Sequence, residues 1–247
     1  MKRKYENPPI QEALCEIFFS QPEWDNTMPG LFYEQIKKDH PNKTQIKQLN
    51  VEVNVGDNKH AAKFSDNEDR IQFRNVDGSQ IVQLASNLLV VNQLRPYPHF
   101  EAWLPVVRST FEIYDRFAKP KGIEKIGVRY INRVLIPKLK IQMEDYFNVY
   151  PQLPKELGDQ HGPFMMRFEL FPKNPKHQLF ITFATSPSNE PNSIAFALDI
   201  YDTFSNPESK SVDSVIKIAA ESHDNILTAF ENSIKDSLRA VFQEKKA

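Results

Sequence analysis

The chain has 247 residues, 40% of them hydrophobic and 18 of them phenylalanine, enough to fill a core in one large domain or two fused halves. A formal net charge of −1 excludes a global basic field that would recruit nucleic acid. The longest apolar runs are a few residues, far short of a bilayer span, and a single cysteine, Cys15, excludes an intrachain disulfide. With no apolar segment behind the basic Met1-Lys2-Arg3-Lys4 start, a cytoplasmic protein without membrane contact is expected.

In chain order, Pro8-Pro9 sets an extended lead into a strand over residues 10–19. There Ala13, Cys15, Ile17 and Phe19 alternate with Glu12, Leu14, Glu16 and Phe18. A helix is expected over 31–39, stopped before Pro41. Alternation predicts strands over 49–55 and 70–75, the first ending in a Gly56-Asp57-Asn58 turn and the second in Asp77-Gly78. Residues 78–98 read as a hairpin turning at Ser86-Asn87 and closed by Pro96 and Pro98. Apolar residues then recur every three or four positions from Phe100 to Phe117, an amphipathic helix whose start is placed near Leu104, with Pro105 at its first position.

A long strand follows over 125–136, with Ile126, Val128, Tyr130, Asn132, Val134 and Ile136 on one face and Gly127, Arg129, Ile131, Arg133 and Leu135 on the other. A short helix over 143–147 and strands over 164–171, 177–184 and 193–201 lead to a helix capped near Ser211. Its stripe runs to Phe242, about thirty residues and roughly 45 Å. The order is β-α-ββββ-α followed by β-α-βββ-α. That predicts an α+β protein of two antiparallel-sheet halves, 1–120 and 121–247, of TATA-binding-like or helix-grip-like architecture, with the long helix closing the chain.

Five stretches carry a family resemblance: Pro8-Pro9-Ile10-Gln11-Glu12-Ala13 with Glu16-Ile17; Pro29-Gly30-Leu31-Phe32; Asn87-Leu88-Leu89 with Arg95-Pro96-Tyr97-Pro98; residues 126–133; and Leu198-Asp199-Ile200. As a set they resemble a sporadically distributed family of uncharacterised prokaryotic proteins of about this length. That resemblance supplies no activity to carry over. Its patchy distribution implies mobile accessory genes, such as defence or toxin–antitoxin cargo.

Glycine-rich phosphate loops, serine-hydrolase elbows, Cys-x-x-Cys pairs and His-Glu-x-x-His are all absent, so neither catalytic residues nor a cofactor or metal is assigned. Triphosphate-tunnel enzymes need an alternating Glu-x-Glu-x-Lys strand, whereas Glu12 and Glu16 are four apart with Leu14 between them. Those two carboxylates share a strand face, as do Arg129 and Arg133. If their strands are neighbours, the four make either a ligand-binding polar pocket or an ion-pair network locking the halves together.

Gln72, Arg74, Gln83, Gln93 and Arg95 form a second candidate, a polar sheet face, with Tyr97 or Tyr130 available for stacking. Near-neutral charge disfavours nucleic acid there. Asp199 and Asp202, with Glu169 or His177, are a third candidate, for a divalent ion, but three-residue spacing puts the two aspartates on opposite faces. Asp202 then reads as a turn former. His223 and Cys15 read as core residues.

The ligand-binding set is therefore Glu12, Glu16, Gln93, Arg95, Arg129, Asn132 and Arg133. The leading expectation is a non-enzymatic binding or regulatory protein that acts through its sheet face, as a homodimer or with a protein partner. Its competitors are a metal-assisted hydrolase or nuclease, and a small-molecule sensor with a pocket between the sheet and the long helix.

Overall fold

The computed structural model describes residues 3–46, 49–54, 61–66, 70–157 and 162–245, with 49–54 and 61–66 known in backbone alone. The Gly56-Asp57-Asn58 turn expected from the sequence lies outside the described residues. Eleven strands and four α-helices are described. The first half holds β1 (Ile10–Ser20), α1 (Met28–Ile36), β2 (Asn42–Ile46), β3 (Leu49–Asn54), β4 (Ala61–Asp66), β5 (Arg70–Arg74), β6 (Gln80–Ala85), β7 (Leu88–Leu94) and α2 (Phe100–Ala118). The second holds β8 (Gly122–Ile136), β9 (Met165–Leu170), β10 (His177–Ser186), β11 (Ile194–Ser205), α3 (Val212–Ser233) and α4 (Asp236–Phe242).

Nine strands form one antiparallel sheet in the order β2-β5-β6-β7-β1-β8-β11-β10-β9, and β3 and β4 pair separately. The protein is α+β, as its pattern of strands and covering helices predicts. The two halves meet inside the sheet, where β1 lies between β7 and β8 and pairs with both. In each half the first strand therefore lies next to the last, and the two first strands are neighbours.

Period-two alternation explains how the sheet is clothed. Ala13, Cys15, Ile17 and Phe19 of β1, Leu89 and Val91 of β7, and Ile126, Val128 and Val134 of β8 are buried beneath the helices. Trp103, Val107, Phe111 and Tyr114 of α2 and Val215, Ala219, Ile226 and Phe230 of α3 close over them. Cys15 sits in this core, where burial pushes its thiol up to about 12, so it is a packing residue as expected.

Three local expectations are corrected. Helix α2 begins at Phe100, not near Leu104, because the His99 ring caps the Ala102 N–H at 3.1 Å and burial of Phe100 and Trp103 secures the first turn. Pro105 therefore lies inside the helix. The long closing helix ends at Ser233, since Ile234 and Lys235 are extended. Backbone groups of residues 146–148 take over there: Asn148 N–H donates to Ser233 O and Lys235 N–H to Tyr146 O, both at 2.9 Å. The helix expected over 143–147 is a single 3-10 turn, Met143–Asp145. Strands β2 and β4 were not anticipated; in β2 the segment NKTQI has a single apolar residue to alternate, and it lies on the sheet edge.

Helices cover one face of the sheet; the other, far face has no helix over it among the described residues, though Ala85, Leu88 and Val90 are buried there with Leu14 and Phe18 against them. On that far face Tyr201 of β11 reaches across β8 and donates from its hydroxyl to Glu16 of β1. Only a residue without a side chain lets the ring lie flat over the intervening strand. A Cβ on Gly127 would stand 2.6 Å from the Tyr201 hydroxyl oxygen and 2.7 Å from its Cε2. We expect Gly127→Ala to lower unfolding stability by about 1–3 kcal/mol through overpacking. Adding Tyr201→Ala should recover part of that loss, a non-additivity that a denaturant double-mutant cycle measures.

Candidate functional site

On the helix-covered side, a cleft of about 400 Å³ opens between the chain's first residues, the start of α2, the middle of α3 and the body of β8. Its apolar walls include Tyr5, Pro8, Ile10, Phe100, Ile226, Leu227 and Phe230; Tyr97, Tyr130, Asn132 and His223 also line it, as do the charged Arg3, Lys4, Glu101, Glu231 and Lys245. Aromatic and aliphatic surface dominates, which is the usual character of a small-molecule site. A larger cleft of about 610 Å³ lies between the end of α1, the β5–β6 turn and α2, lined by His40, Asp39 and Asp77 among others. Its lining is more polar, and the buried His40 ring there has no hydrogen-bond partner among the described residues.

Polar order inside the apolar cleft comes from three side chains. The Tyr97 and Tyr130 hydroxyls are 3.0 Å apart, and the Tyr130 hydroxyl is 2.6 Å from His223 Nδ1. The His223 ring stacks on Phe100 with centroids 4.1 Å apart and planes 6° from parallel. Burial raises the pKa of both phenols, so both keep their protons at neutral pH. Two hydroxyl protons then serve two contacts, and the His223 tautomer decides how. With Nδ1 as acceptor, Tyr130 donates to it and Tyr97 donates to Tyr130. With Nδ1 protonated, the chain reverses and the Tyr97 proton is released toward the cleft. Tyr97 can thus present either an acceptor or a donor to whatever occupies the cavity.

Residues singled out from the sequence hold this cleft from outside. Arg95 donates to Ile10 O at 3.1 Å and Pro8 O at 3.0 Å, clamping the Pro8-Pro9-Ile10 wall. Gln93 donates to Leu94 O and Pro96 O and accepts from Gln80, so it orders the turn that delivers Tyr97. Gln93 lies on the helix-covered face, not on the far one: it pairs with Ala13, and Asn92, just as buried, takes the opposite face. Asn132, also buried, donates to Leu198 O at 3.0 Å. Three of the stretches quoted for the family resemblance, around Pro8, Tyr97 and Tyr130, therefore converge here.

The other candidates lie on the far face and find different partners from those expected. Strands β1 and β8 are neighbours, but Leu14 stands opposite Arg129, and Glu16 opposite Gly127. Arg129 instead makes a bidentate pair with Asp199 at 2.8 and 2.5 Å. Glu12 accepts from Asn92, which also accepts from Gln83; Glu16 accepts from Tyr201; Arg133 donates to Pro187 O. Gln72, Arg74 and Gln83 share this face.

Asp199 and Asp202 point to opposite faces, as their spacing requires. Asp202 is no turn former: it is fully buried inside β11 and accepts from His177 Nδ1 at 2.7 Å and Asn225 at 3.0 Å. Glu221 of α3 stands 3.5 Å from His177 Nε2. Among the described residues no three His, Cys, Asp or Glu side chains group as metal ligands.

Sequence reasoning placed Tyr97 and Tyr130 as stackers on a polar face and His223 in the core, and so missed their union. The signal was present. Tyr130 falls on the apolar face of its strand and His223 on the apolar stripe of its helix, and buried polar groups on facing surfaces must find partners.

The His177 pair gives a pH dependence. Burial disfavours the imidazolium, but the hydrogen bonds and negative charges of Asp202 and Glu221 outweigh it and lift the pKa above the ordinary 6.5. A raised folded-state pKa stabilises fully below 6.5 and fades as pH climbs through the folded value. We expect His177→Gln to cost about 1–3 kcal/mol at mildly acidic pH. The gap to the parent should narrow at alkaline pH, as thermal melts across that range would record.

No family model matches the chain. No curated protein matches it either. Among solved structures, S. pombe Pct1 RNA triphosphatase in complex with the Spt5 CTD aligns over 97% of this chain and 88% of that one, at 7% identity and a TM-score of 0.14. A likeness so slight bears on neither fold nor function.

Proposed function

We propose that this is a binding protein that takes a small, mainly apolar molecule in the cleft between sheet and α3 and reports its presence through the elements that wall it. One observation carries the reading: a hydrogen-bonded Tyr97–Tyr130–His223 chain terminates at a cavity whose surface is mainly aromatic and aliphatic, with Arg3, Lys4, Glu101, Glu231 and Lys245 also in its lining. Apolar walls supply affinity through burial, and a few placed polar groups supply orientation. The ligand class that fits is a compact, part-aromatic molecule with one hydroxyl, carbonyl or carboxyl group to meet Tyr97.

A reporting role follows from where the walls come from. The cleft joins the arm at residues 3–10, the start of α2, β8 and α3, so an occupant contacts both halves at once. A sensor requires only that its ligand bind one arrangement of these elements better than another. The far sheet face gives a weaker basis for binding, because these polar groups are already engaged within it: Arg129 pairs with Asp199, Glu12 accepts from Asn92 and Glu16 from Tyr201.

Thermal-shift screening against a set of small phenols, indoles and aromatic acids tests the reading. A true ligand at about a hundred times its Kd should add about 2.7 kcal/mol to unfolding stability. Tyr97→Phe should weaken it about tenfold, through loss of one hydrogen bond of about 1.4 kcal/mol. Leu227→Trp should abolish it by filling the cleft. A flat screen, or a hit indifferent to both substitutions, would remove this function.

A further inference from the structure

Edge strand β9 carries an unusual surface. Among the described residues its only strand neighbour is β10, so no described strand pairs with the other side of its backbone. Met165 is 77% exposed and the adjoining Phe171 72%, with Phe168 and Leu170 also exposed. Long, flat, apolar edges of this kind are normally blunted, covered or paired.

From these observations we infer that β9 pairs antiparallel with β9 of a second copy of this chain, about a two-fold axis through Phe168. The segment Met165-Met166-Arg167-Phe168-Glu169-Leu170-Phe171 is self-complementary about that residue. Phe168 meets its own copy, Met166 meets Leu170, Met165 meets Phe171, and Arg167 meets Glu169, twice over. A two-fold contact demands such self-complementarity, whereas an unrelated partner does not.

Backbone phase agrees with this register. The Thr185 N–H donates to Phe164 O at 3.0 Å, and in an antiparallel ladder the groups facing one neighbour recur every second residue. Phe164, Met166, Phe168 and Leu170 therefore turn their backbone groups toward β10, and Met165, Arg167 and Glu169 turn theirs to the free edge. In the proposed register Arg167 and Glu169 form the hydrogen-bonded pairs, and Phe168 lies at the closely approached position between them.

Side chains match as well. Arg167 and Glu169 lie on the far face, where Arg167 covers the Phe180 ring at 4.7 Å and Glu169 accepts from Gln178 at 3.2 Å. Their alternating charges attract across the axis and repel in a register slipped by two. Phe168, Met166 and Leu170 lie on the other face, beside an apolar groove of about 310 Å³ that Tyr150 and Ile181 complete. Pairing would extend one nine-stranded sheet into a continuous sheet across two copies. This inference does not depend on the cleft.

Sedimentation velocity over a wide concentration series tests it. The parent chain should dimerise reversibly, while Arg167→Glu and Glu169→Arg should each sediment as monomers with unchanged circular dichroism and melting. The double variant Arg167→Glu/Glu169→Arg should dimerise again, because the swapped charges again attract across the axis. Phe168→Cys should form an interchain disulfide under mild oxidation, whereas Cys15 in the parent is buried and should not. A parent that stays monomeric, single reversals that dimerise normally, or a double variant that fails to recover would each overturn the inference.

Discussion

The pairing of β1 with β8 is the constraint on which the rest of the molecule depends. Each is the first strand of its half, and together they form the centre of the sheet, with β7 and β11 built outward from them. Central strands lose their edges, so from Glu12 to Phe18 β1 is paired on both sides, and its side chains are left to divide two faces. Odd-numbered positions from Ala13 to Phe19 enter the helix-covered core; even-numbered ones from Glu12 to Phe18 face outward. A slip of one residue would bury Glu12 and Glu16 and expose Cys15, Ile17 and Phe19, so the register is tightly specified. Gly127 belongs to the same constraint, since Tyr201 can tie β11 to β1 only across a residue with no Cβ.

The cleft follows from that frame. Because β8 is central, Tyr130 and Asn132 are held under the helices, where an unpaired polar atom is costly. Asn132 resolves this by bonding to the Leu198 carbonyl, and Tyr130 by bonding to His223 and Tyr97. On another side of the same turn of α3, His177, Asp202, Glu221 and Asn225 pin the helix to β10 and β11. Two polar clusters thus fix one helix over an otherwise apolar sheet, one closed on itself and the other ending at a cavity. That difference makes the second cluster the candidate for recognition.

Alternation made most of the sheet legible. Residues 10–19 and 125–136 have one dominant period, and the strand faces read from them hold throughout. Gln93 shows where such reading stopped. With the turn placed at Ser86-Asn87, residues facing one another across the hairpin sum to 173, so Gln93 opposes Gln80 and shares its face, while Gln83 falls on the other. Parity alone settled the matter, but it required the strand register to be written out. Partners of Arg129 were out of reach for another reason: β11 lies some seventy residues away, and nothing local indicates that Asp199 stands diagonally across from the guanidinium. The end of α3 was equally hidden, because an apolar stripe continuing through Ile234 and Leu238 says nothing of the 146–148 backbone that interrupts it.

The arm that closes the cleft has a kinetic meaning. Glu6 and Asn7 donate to the carbonyls of Gln243 and Phe242, Lys245 donates back to Lys4, and Tyr5 reaches Glu231. These contacts join residues more than two hundred positions apart, so their loop-closure entropy is near the largest the chain can incur. Long loops are costly to close, and local opening concentrates at terminal segments. Arg95 is the latch, since its two bonds to Pro8 and Ile10 must break before the wall swings away. On the proposed function, a ligand's residence in the cleft would be timed by this arm, which holds the first and last segments of the described chain together.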